Sequence, residues 1–382
     1  MQGISGTSHQ PLFVTRPSMP PLADLLPLLE EIWDNRIVSN GGPLLRRFEA
    51  AIGQYLGVDN LSVVTNASLG LVLAMRALGV DGGEVVTTPF SFVASTHAIH
   101  WAGATPVFAD IEPATLGLDP ERVAAAITPR TRAILAVHSY GHACLVDELE
   151  SLARRHGLPV IYDAAHCFGV ELDGQSILSR GDASVVSFHG TKVFHTCEGG
   201  AVRFSDRHAR QAFDVLVNHG IADEATIPAI GLNAKASELQ AALGLALLPH
   251  AAECIALRAA LDTRYRELLA DVQSVRCLAS GPRQKHNFYN FPIRIAAEGM
   301  RDAAFHRLRT AGVMARRYFH PLISQLESYR HLPSADPARL PVASAAARQM
   351  LVLPLYPDLA TADQSRIVED LRIALASPPG AV

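Results

Sequence analysis

Ala133-Ile-Leu-Ala-Val137, Asp147-Glu-Leu-Glu-Ser-Leu-Ala-Arg-Arg-His156, Gly157 and Pro159-Val-Ile-Tyr162 follow one another in the chain, and together they decide the fold. The first run is apolar on both faces, as a strand must be when helices cover it from both sides. The second places Leu149, Leu152 and Ala153 on one helical face. Gly157 supplies a C-terminal stop, and the next apolar run begins at once. Working outward, short β-rich runs recur at Leu61–Thr65, Glu84–Thr87, Pro106–Phe108, Ala183–Phe188 and Ala201–Phe204, and a helical pattern fills Leu69–Leu78. Such alternation predicts an α/β fold with a mostly parallel sheet flanked by helices. Further on, Glu238–Leu248 is an Ala/Leu-rich helix broken by Pro249, and a second helix is expected from Ala251 to Leu269. The remainder mixes strand-like Asn290–Ile295 with helical Asp302–Ala311 and Ala360–Ala376. The expected division is an extended segment over 1–25, rich in proline, a large domain over 26–250 and a smaller C-terminal α/β domain over 251–382.

Composition removes several functional classes. Of 382 residues, 49% are hydrophobic and 18% charged, which excludes a disordered or coiled-coil chain. The net charge is −4 with no basic run, so a nucleic-acid partner, which needs a concentrated positive patch, is not expected. Cys144, Cys167, Cys197, Cys254 and Cys277 are odd in number and form no CxxC, arguing against a disulfide scaffold or a zinc site and for a reducing compartment. Met1–Gln10 has neither a basic n-region nor an apolar core, and no apolar run approaches the ~20 residues of a membrane span. A cytoplasmic protein with no membrane partner and no metal is expected.

The chemistry concentrates in Pro159-Val-Ile-Tyr-Asp163-Ala-Ala-His166 and Ser187-Phe-His-Gly-Thr-Lys192. Asp163 and Lys192 both fall just past the carboxyl ends of expected strands, the edge where open α/β sheets bind ligands. Each alone reads as a helix cap or a solvated loop lysine. Together, with Ser187, His166 and His189, they outline one polar pocket. A pyridoxal-phosphate enzyme needs a lysine amine to hold the aldehyde, a carboxylate to keep the pyridine nitrogen protonated and an anion site for the phosphate. Thr65-Asn66-Ala67-Ser68, ending a strand and opening a helix, offers such a site through free backbone N–H groups. Asn66 reads equally as an ordinary N-cap. No GxxxxGK[ST] and no GxGxxG competes. His138 and His219 read as structural.

These residues resemble the DegT/DnrJ/EryC1/StrS sugar aminotransferases, pyridoxal-phosphate enzymes of aspartate-aminotransferase fold type I. The resemblance runs from about residue 20 to about 360 through Gly42-Pro43, Phe48-Glu49, Asn66-Ala-Ser68, Pro89-Phe-Ser-Phe92, Asp163-Ala-Ala-His166, Ser187-Phe-His-Gly-Thr-Lys192, Glu198-Gly-Gly, Gly231-Leu-Asn233-Ala-Lys235, Glu238-Leu-Gln240, Arg317-Tyr-Phe-His-Pro-Leu322 and Leu353-Pro-Leu-Tyr356. It implies that Lys192 binds the cofactor covalently and later moves the reacting proton, and that Asp163 pairs with the ring nitrogen. His166 would contact the ring hydroxyl where the family often has Gln. Phe92 would lie against the ring, and Ala67, Ser68 and Ser187 would hold the phosphate. Asn233 would reach it from a neighbouring subunit, making a homodimer part of the site. Departures are Ala67-Ser68 where the family usually has Gly-Thr, Tyr162 where it has Glu, and Lys235 where it has Arg, which loses a planar fork.

The stretch from His189 to Gly200 is similar to the branch that aminates C4 of nucleotide-linked 4-keto-6-deoxyhexoses. The expected reaction is transfer of an amino group from glutamate to dTDP-4-keto-6-deoxyglucose, giving a 4-amino-4,6-dideoxy sugar for polysaccharide or other deoxysugar synthesis. C3-aminating or UDP- and GDP-linked relatives are the alternative, and a non-catalytic cofactor-binding regulator a further one. His189, Glu198, Arg316, Arg317, Tyr318 and His320 are the candidates for contact with the nucleotide sugar; arginines suit a pyrophosphate.

Overall fold

The computed structural model describes residues 11–376. Every run expected to be a strand between residues 60 and 205 is one, with ends displaced by at most two residues: Leu61–Val64, Glu84–Thr87, Thr105–Phe108, Thr131–Val137, Val160–Asp163, Ala183–Ser187 and Gly200–Phe204. They form one seven-stranded sheet. From one edge to the other the order is Leu61–Val64, Gly200–Phe204, Ala183–Ser187, Val160–Asp163, Thr131–Val137, Glu84–Thr87, Thr105–Phe108. Gly200–Phe204 runs antiparallel to both neighbours; the other six share one direction. Their carboxyl ends therefore meet along a single edge, and Val137 lies opposite Asp163 there.

The two-faced apolarity of these strands has the expected cause. Successive residues enter different cores: Ala133 and Leu135 pack with Leu71, Met75 and Ile99, whereas Ile134 and Ala136 pack with Leu149 and Leu152. The helices that supply this cover are Ala67–Ala77, Val93–Trp101 and Val146–His156. Toward the other edge, Val185 and Val186 split in the same way, Val186 joining Phe48, Phe168, Phe188 and Phe194. Period-two alternation between two buried faces is what a sheet wrapped by helices demands.

The motifs Gly42-Pro43 and Glu238 explain each other. Glu238 is fully buried, and its carboxylate accepts the N–H groups of Leu44 (2.8 Å) and Leu45 (2.9 Å), closing the first turn of the helix Pro43–Leu56. A Cβ on Gly42 would stand 2.5 Å from that carboxyl carbon, so the position has room for glycine alone. Glu238 itself opens the helix Glu238–Leu247, whose N-terminus carries a capping box between Ser237 and Gln240. The Gln240 amide also donates to Thr65 O (3.2 Å) and Glu198 O (2.5 Å). Leu248–His250 tightens into a 3₁₀ turn around Pro249 before the helix Ala251–Leu269. The whole run Glu238–Leu269 is long and apolar enough to cross a membrane, which the sequence reading did not anticipate. Half of its most apolar window is buried, with Ala241, Ala242 and Leu247 in the core around Phe48.

The C-terminal part builds a second, antiparallel sheet from Val275–Cys277, Phe291–Ile295 and Met350–Leu353. Its core gathers Leu261 and Tyr265 from Ala251–Leu269 with Leu308, Ile367 and Leu371. Leu12–Phe13 pairs in parallel with Val313–Met314. A helix begins at Leu22, so the last residues of the segment expected to be extended to 25 are helical; residues 1–10 lie outside those described. Asp110, just past the strand Thr105–Phe108, takes the N–H groups of Val342 (2.9 Å) and Ala343 (2.8 Å) and so joins the two parts.

Candidate active site

At the carboxyl edge of the large sheet lies a cavity of about 300 Å³ whose lining includes Ala67, Ser68, Phe92, Asp163, His166, Ser187, His189, Lys192, Glu198 and Tyr318. Asp163 is the last residue of its strand and is buried. Ser95 Oγ donates to its Oδ2 (2.6 Å) and Ala165 N to its Oδ1 (3.0 Å). Burial pushes the carboxyl's pKa above the usual range, while these two donors and the nearby Lys192 pull it back toward the ionised form. Ser95 sits on the helix Val93–Trp101, so a second element of the sheet edge orients the acid.

Three residues past Asp163, His166 stacks on Tyr289 with ring centroids 4.3 Å apart. Its Nδ1 is buried without a hydrogen-bond partner among the described residues. Burial, and then the charge on Lys192, drive its pKa well below the histidine range, so the ring is neutral. Ser187 ends the adjacent strand, and its Oγ accepts the N–H of His189 (3.3 Å). The chain then turns: Lys192 N donates to His189 O (2.9 Å), which brings Lys192 back over the edge, and its Nζ lies 4.9 Å from the Tyr289 ring centroid. Val193 and Phe194, next along the chain, are buried while Lys192 is half-buried.

On the opposite wall the helix Ala67–Ala77 begins. Asn66 is its N-cap, with Oδ1 accepting Leu69 N (2.9 Å). The cap reading therefore holds, and it leaves the first N–H groups of the helix uncapped. The N–H groups of Ala67 and Ser68 have no acceptor within their helix, and both residues line the cavity. Gly199 and Gly200 let the wall close: a Cβ on Gly200 would meet Ala67 N at 2.8 Å, and one on Gly199 would meet Thr196 Oγ1 at 2.1 Å. At the mouth, His189 Nδ1 accepts Thr191 N (3.2 Å), which puts the ring proton on Nε2, 3.5 Å from Glu198 Oε1.

Four expected residues do not line this cavity. Arg317 is drawn into an ion pair with Asp302 (2.9 Å) and stacks over Phe305 at 4.3 Å. Arg316 and His320 are exposed, and Arg316 pairs through its backbone with Val352. The arginine contacts expected for a pyrophosphate are thus not made inside this chain's own cavity. Asn233 is exposed and also lies outside it. His138 is buried against Tyr162, and burial lowers its pKa to about 3, a structural histidine; His219 is exposed.

The sequence reading missed Tyr289 and Phe319, which complete the lining. Phe319 is anchored by stacking on Tyr140 (5.6 Å) and edge contact with Phe90 (5.4 Å), and the Tyr140 hydroxyl donates to Tyr318 O. A signal existed for Tyr289: His286-Asn-Phe-Tyr-Asn290 is a polar and aromatic run placed directly before an apolar strand.

Residues 23–372 match the sequence profile of the DegT/DnrJ/EryC1/StrS aminotransferase family. A dTDP-4-amino-4,6-dideoxy-D-glucose transaminase of Shigella dysenteriae is 40% identical over 366 residues, covering 95% of this chain and 99% of the relative. A GDP-perosamine synthase of Caulobacter vibrioides is 33% identical, covering 89% of this chain and 92% of its own. Among solved structures, DesI in the presence of its TDP-sugar product has a TM-score of 0.91 at 39% identity, covering 96% of this chain and 94% of that one.

Proposed function

Because the chain belongs to the DegT/DnrJ/EryC1/StrS aminotransferase family, we propose that it transfers an amino group from glutamate to C4 of dTDP-4-keto-6-deoxyglucose with pyridoxal phosphate as cofactor. The observation that carries the reading is that Asp163, Lys192 and the open N-terminus of Ala67–Ala77 share one cavity. These residues fit the cofactor: a buried acid for a ring nitrogen, an amine for an aldehyde and unpaired N–H groups for a phosphate. When bound, pyridoxal phosphate would supply an aldehyde that captures an amine and a ring that accepts the electron pair left by a departing proton.

The chain's own residues do the rest. Asp163, whose ionised form Ser95 and the Ala165 N–H favour against the larger cost of burial, would pair with the ring nitrogen and keep it protonated. Lys192 would hold the cofactor and, as a general base and acid, would carry the proton between donor carbon and cofactor. His166, neutral and with a buried unpartnered Nδ1, would contact the ring hydroxyl, and Phe92 would lie against the ring. The N–H groups of Ala67 and Ser68, with the Ser68 and Ser187 hydroxyls, bind the phosphate. His189, Glu198 and Tyr318 at the mouth receive the sugar.

A second subunit completes this reading. Asn233, outside its own cavity, would serve a partner's phosphate. Phe92 (61% exposed), Trp101 (78%) and Ile230 (90%) present apolar surface that a dimer would cover. Leu232 joins Phe92 and Trp101 around one apolar hollow beside the cavity. Five unpaired cysteines suit a cytoplasmic enzyme. The similarity to a GDP-perosamine synthase keeps a GDP-linked substrate as the second reading.

The test treats protein loaded with pyridoxal phosphate with borohydride, locates the adduct by peptide mass spectrometry, then follows glutamate-dependent amination of dTDP- and GDP-linked 4-keto sugars by NMR. The adduct is expected on Lys192, with the new amine at C4 of the dTDP sugar. Full turnover by Lys192→Ala would overturn the mechanism. Amination of the GDP sugar alone would overturn the substrate.

A further inference from the structure

The segment Asn287–Tyr289 reaches the cavity from the C-terminal sheet, just ahead of the strand Phe291–Ile295, and no role above draws on it. Its hold is firm on both sides. Asn287 Nδ2 donates to His166 O (2.8 Å) and Phe168 O (2.9 Å), while its Oδ1 accepts Tyr289 N (3.1 Å). From the helix Ala251–Leu269, Arg258, only 1% exposed, donates through Nη1 to the carbonyls of Tyr289 (3.1 Å) and Leu355 (2.8 Å). The result is a fixed aromatic ring, 5% exposed, with His166 stacked on it and Lys192 Nζ over it.

The chain has three lysines against thirty arginines. Two of the three end on oxygen: Lys235 Nζ on Asn218 Oδ1 (2.8 Å) and Lys285 Nζ on Glu171 Oε1 (2.7 Å). Lys192 Nζ has no hydrogen-bond or ion-pair acceptor among the described residues; the group against it is the Tyr289 ring. We propose that Tyr289 is a positioning residue for Lys192, its ring face holding the amine whenever the lysine is not covalently bound. The proposal rests on the cofactor reading above, because a lysine that alternates between a bound and a free state needs a second resting place. A long, flexible stem left free would sweep many rotamers away from the reacting carbon. A carboxylate there would pin the ammonium, whereas a ring face attracts the cation weakly enough to release it.

The test uses full-length protein carrying ¹³Cε-lysine, loaded with pyridoxamine phosphate so that Lys192 is free. Three signals are expected and are assigned with Lys235→Arg and Lys285→Arg. Lying over the ring, the Lys192 signal should be shifted upfield of the other two. Tyr289→Phe should keep the shift, and Tyr289→Leu should return the signal to the Lys285 position and slow amino transfer to the keto sugar roughly tenfold. An unshifted Lys192 signal in the native protein or in Tyr289→Phe overturns the proposal even if Tyr289→Leu does not fold. So does a shift that survives in Tyr289→Leu. Borohydride labelling separates the two readings: an adduct on Lys192 without a shifted signal removes only the role of Tyr289. Absence of any adduct removes the cofactor reading and this proposal with it.

Discussion

Two helices of the N-terminal part begin close together in the chain, and their first turns are treated in opposite ways. In Pro43–Leu56 the exposed N–H groups meet an anion that the protein supplies: Glu238, fully buried, takes those of Leu44 and Leu45. In Ala67–Ala77 the Asn66 cap stops at Leu69 N, and the N–H groups of Ala67 and Ser68 face a cavity that also holds Asp163 and Lys192. Both turns carry the same partial positive charge. The difference shows how one element can be structural or functional according to whether its anion is built in or left to arrive. A closed turn welds two helices together; an open one beside an amine and a buried acid fits the phosphate of the proposed cofactor.

Removing the built-in anion is the largest way to break this comparison. Glu238→Ala leaves two buried N–H groups without an acceptor, each worth about 1–3 kcal/mol. The expected loss in urea unfolding is about 4 kcal/mol. The reverse change, putting an anion where none is built, comes next. In Ser68→Asp the new carboxylate fills the open turn and repels an incoming phosphate, so pyridoxal phosphate affinity should fall about a hundredfold by fluorescence titration. The same carboxylate suits the helix N-terminus, so the cofactor-free protein should gain about 0.5 kcal/mol. A variant that binds cofactor normally would mean that the phosphate sits elsewhere.

The contrast between these two turns also marks what a single sequence can reveal. The strands were legible because a run buried on both faces, such as Ala133–Val137, is apolar throughout, and because short runs of this kind alternate with helical patterns; all seven stand where expected. Asp163, Ser187 and Lys192 were legible because topology alone carries the ends of parallel strands to one edge. The Glu238 closure was not, since it joins positions 194 residues apart and depends on Gly42 lacking a Cβ. The surroundings of Arg317 were hidden for a similar reason: a charge near a motif suggests a ligand, and only folding brings Asp302 beside its guanidinium, outside this chain's own cavity. Tyr289 enters the cavity only because Asn287 and Arg258 tie its backbone there.

The smallest expected effect concerns the acid that shares the open side. The burial of Asp163 raises its pKa above the unfolded value, so the native chain binds its proton more tightly than the unfolded chain does. Stability from this group is then greatest when the carboxyl is protonated and declines as pH rises through the raised pKa, the reverse of a carboxylate held by a strong ion pair. Without cofactor, ionising the buried acid is a net cost that a protonated ring nitrogen would relieve. Asp163→Asn should therefore raise the melting temperature of the cofactor-free protein slightly at neutral pH. The gain should fade as pH falls through the raised pKa, where the native acid takes up its proton, and be gone below the ordinary carboxylate value of ~4, where the unfolded chain does so too. Loaded with cofactor, the same variant should bind it yet transaminate far more slowly. If Asp163→Asn melts lower than the native chain at neutral pH, then Ser95 and the Ala165 N–H outweigh burial. The acid would then belong with Glu238, as part of the frame.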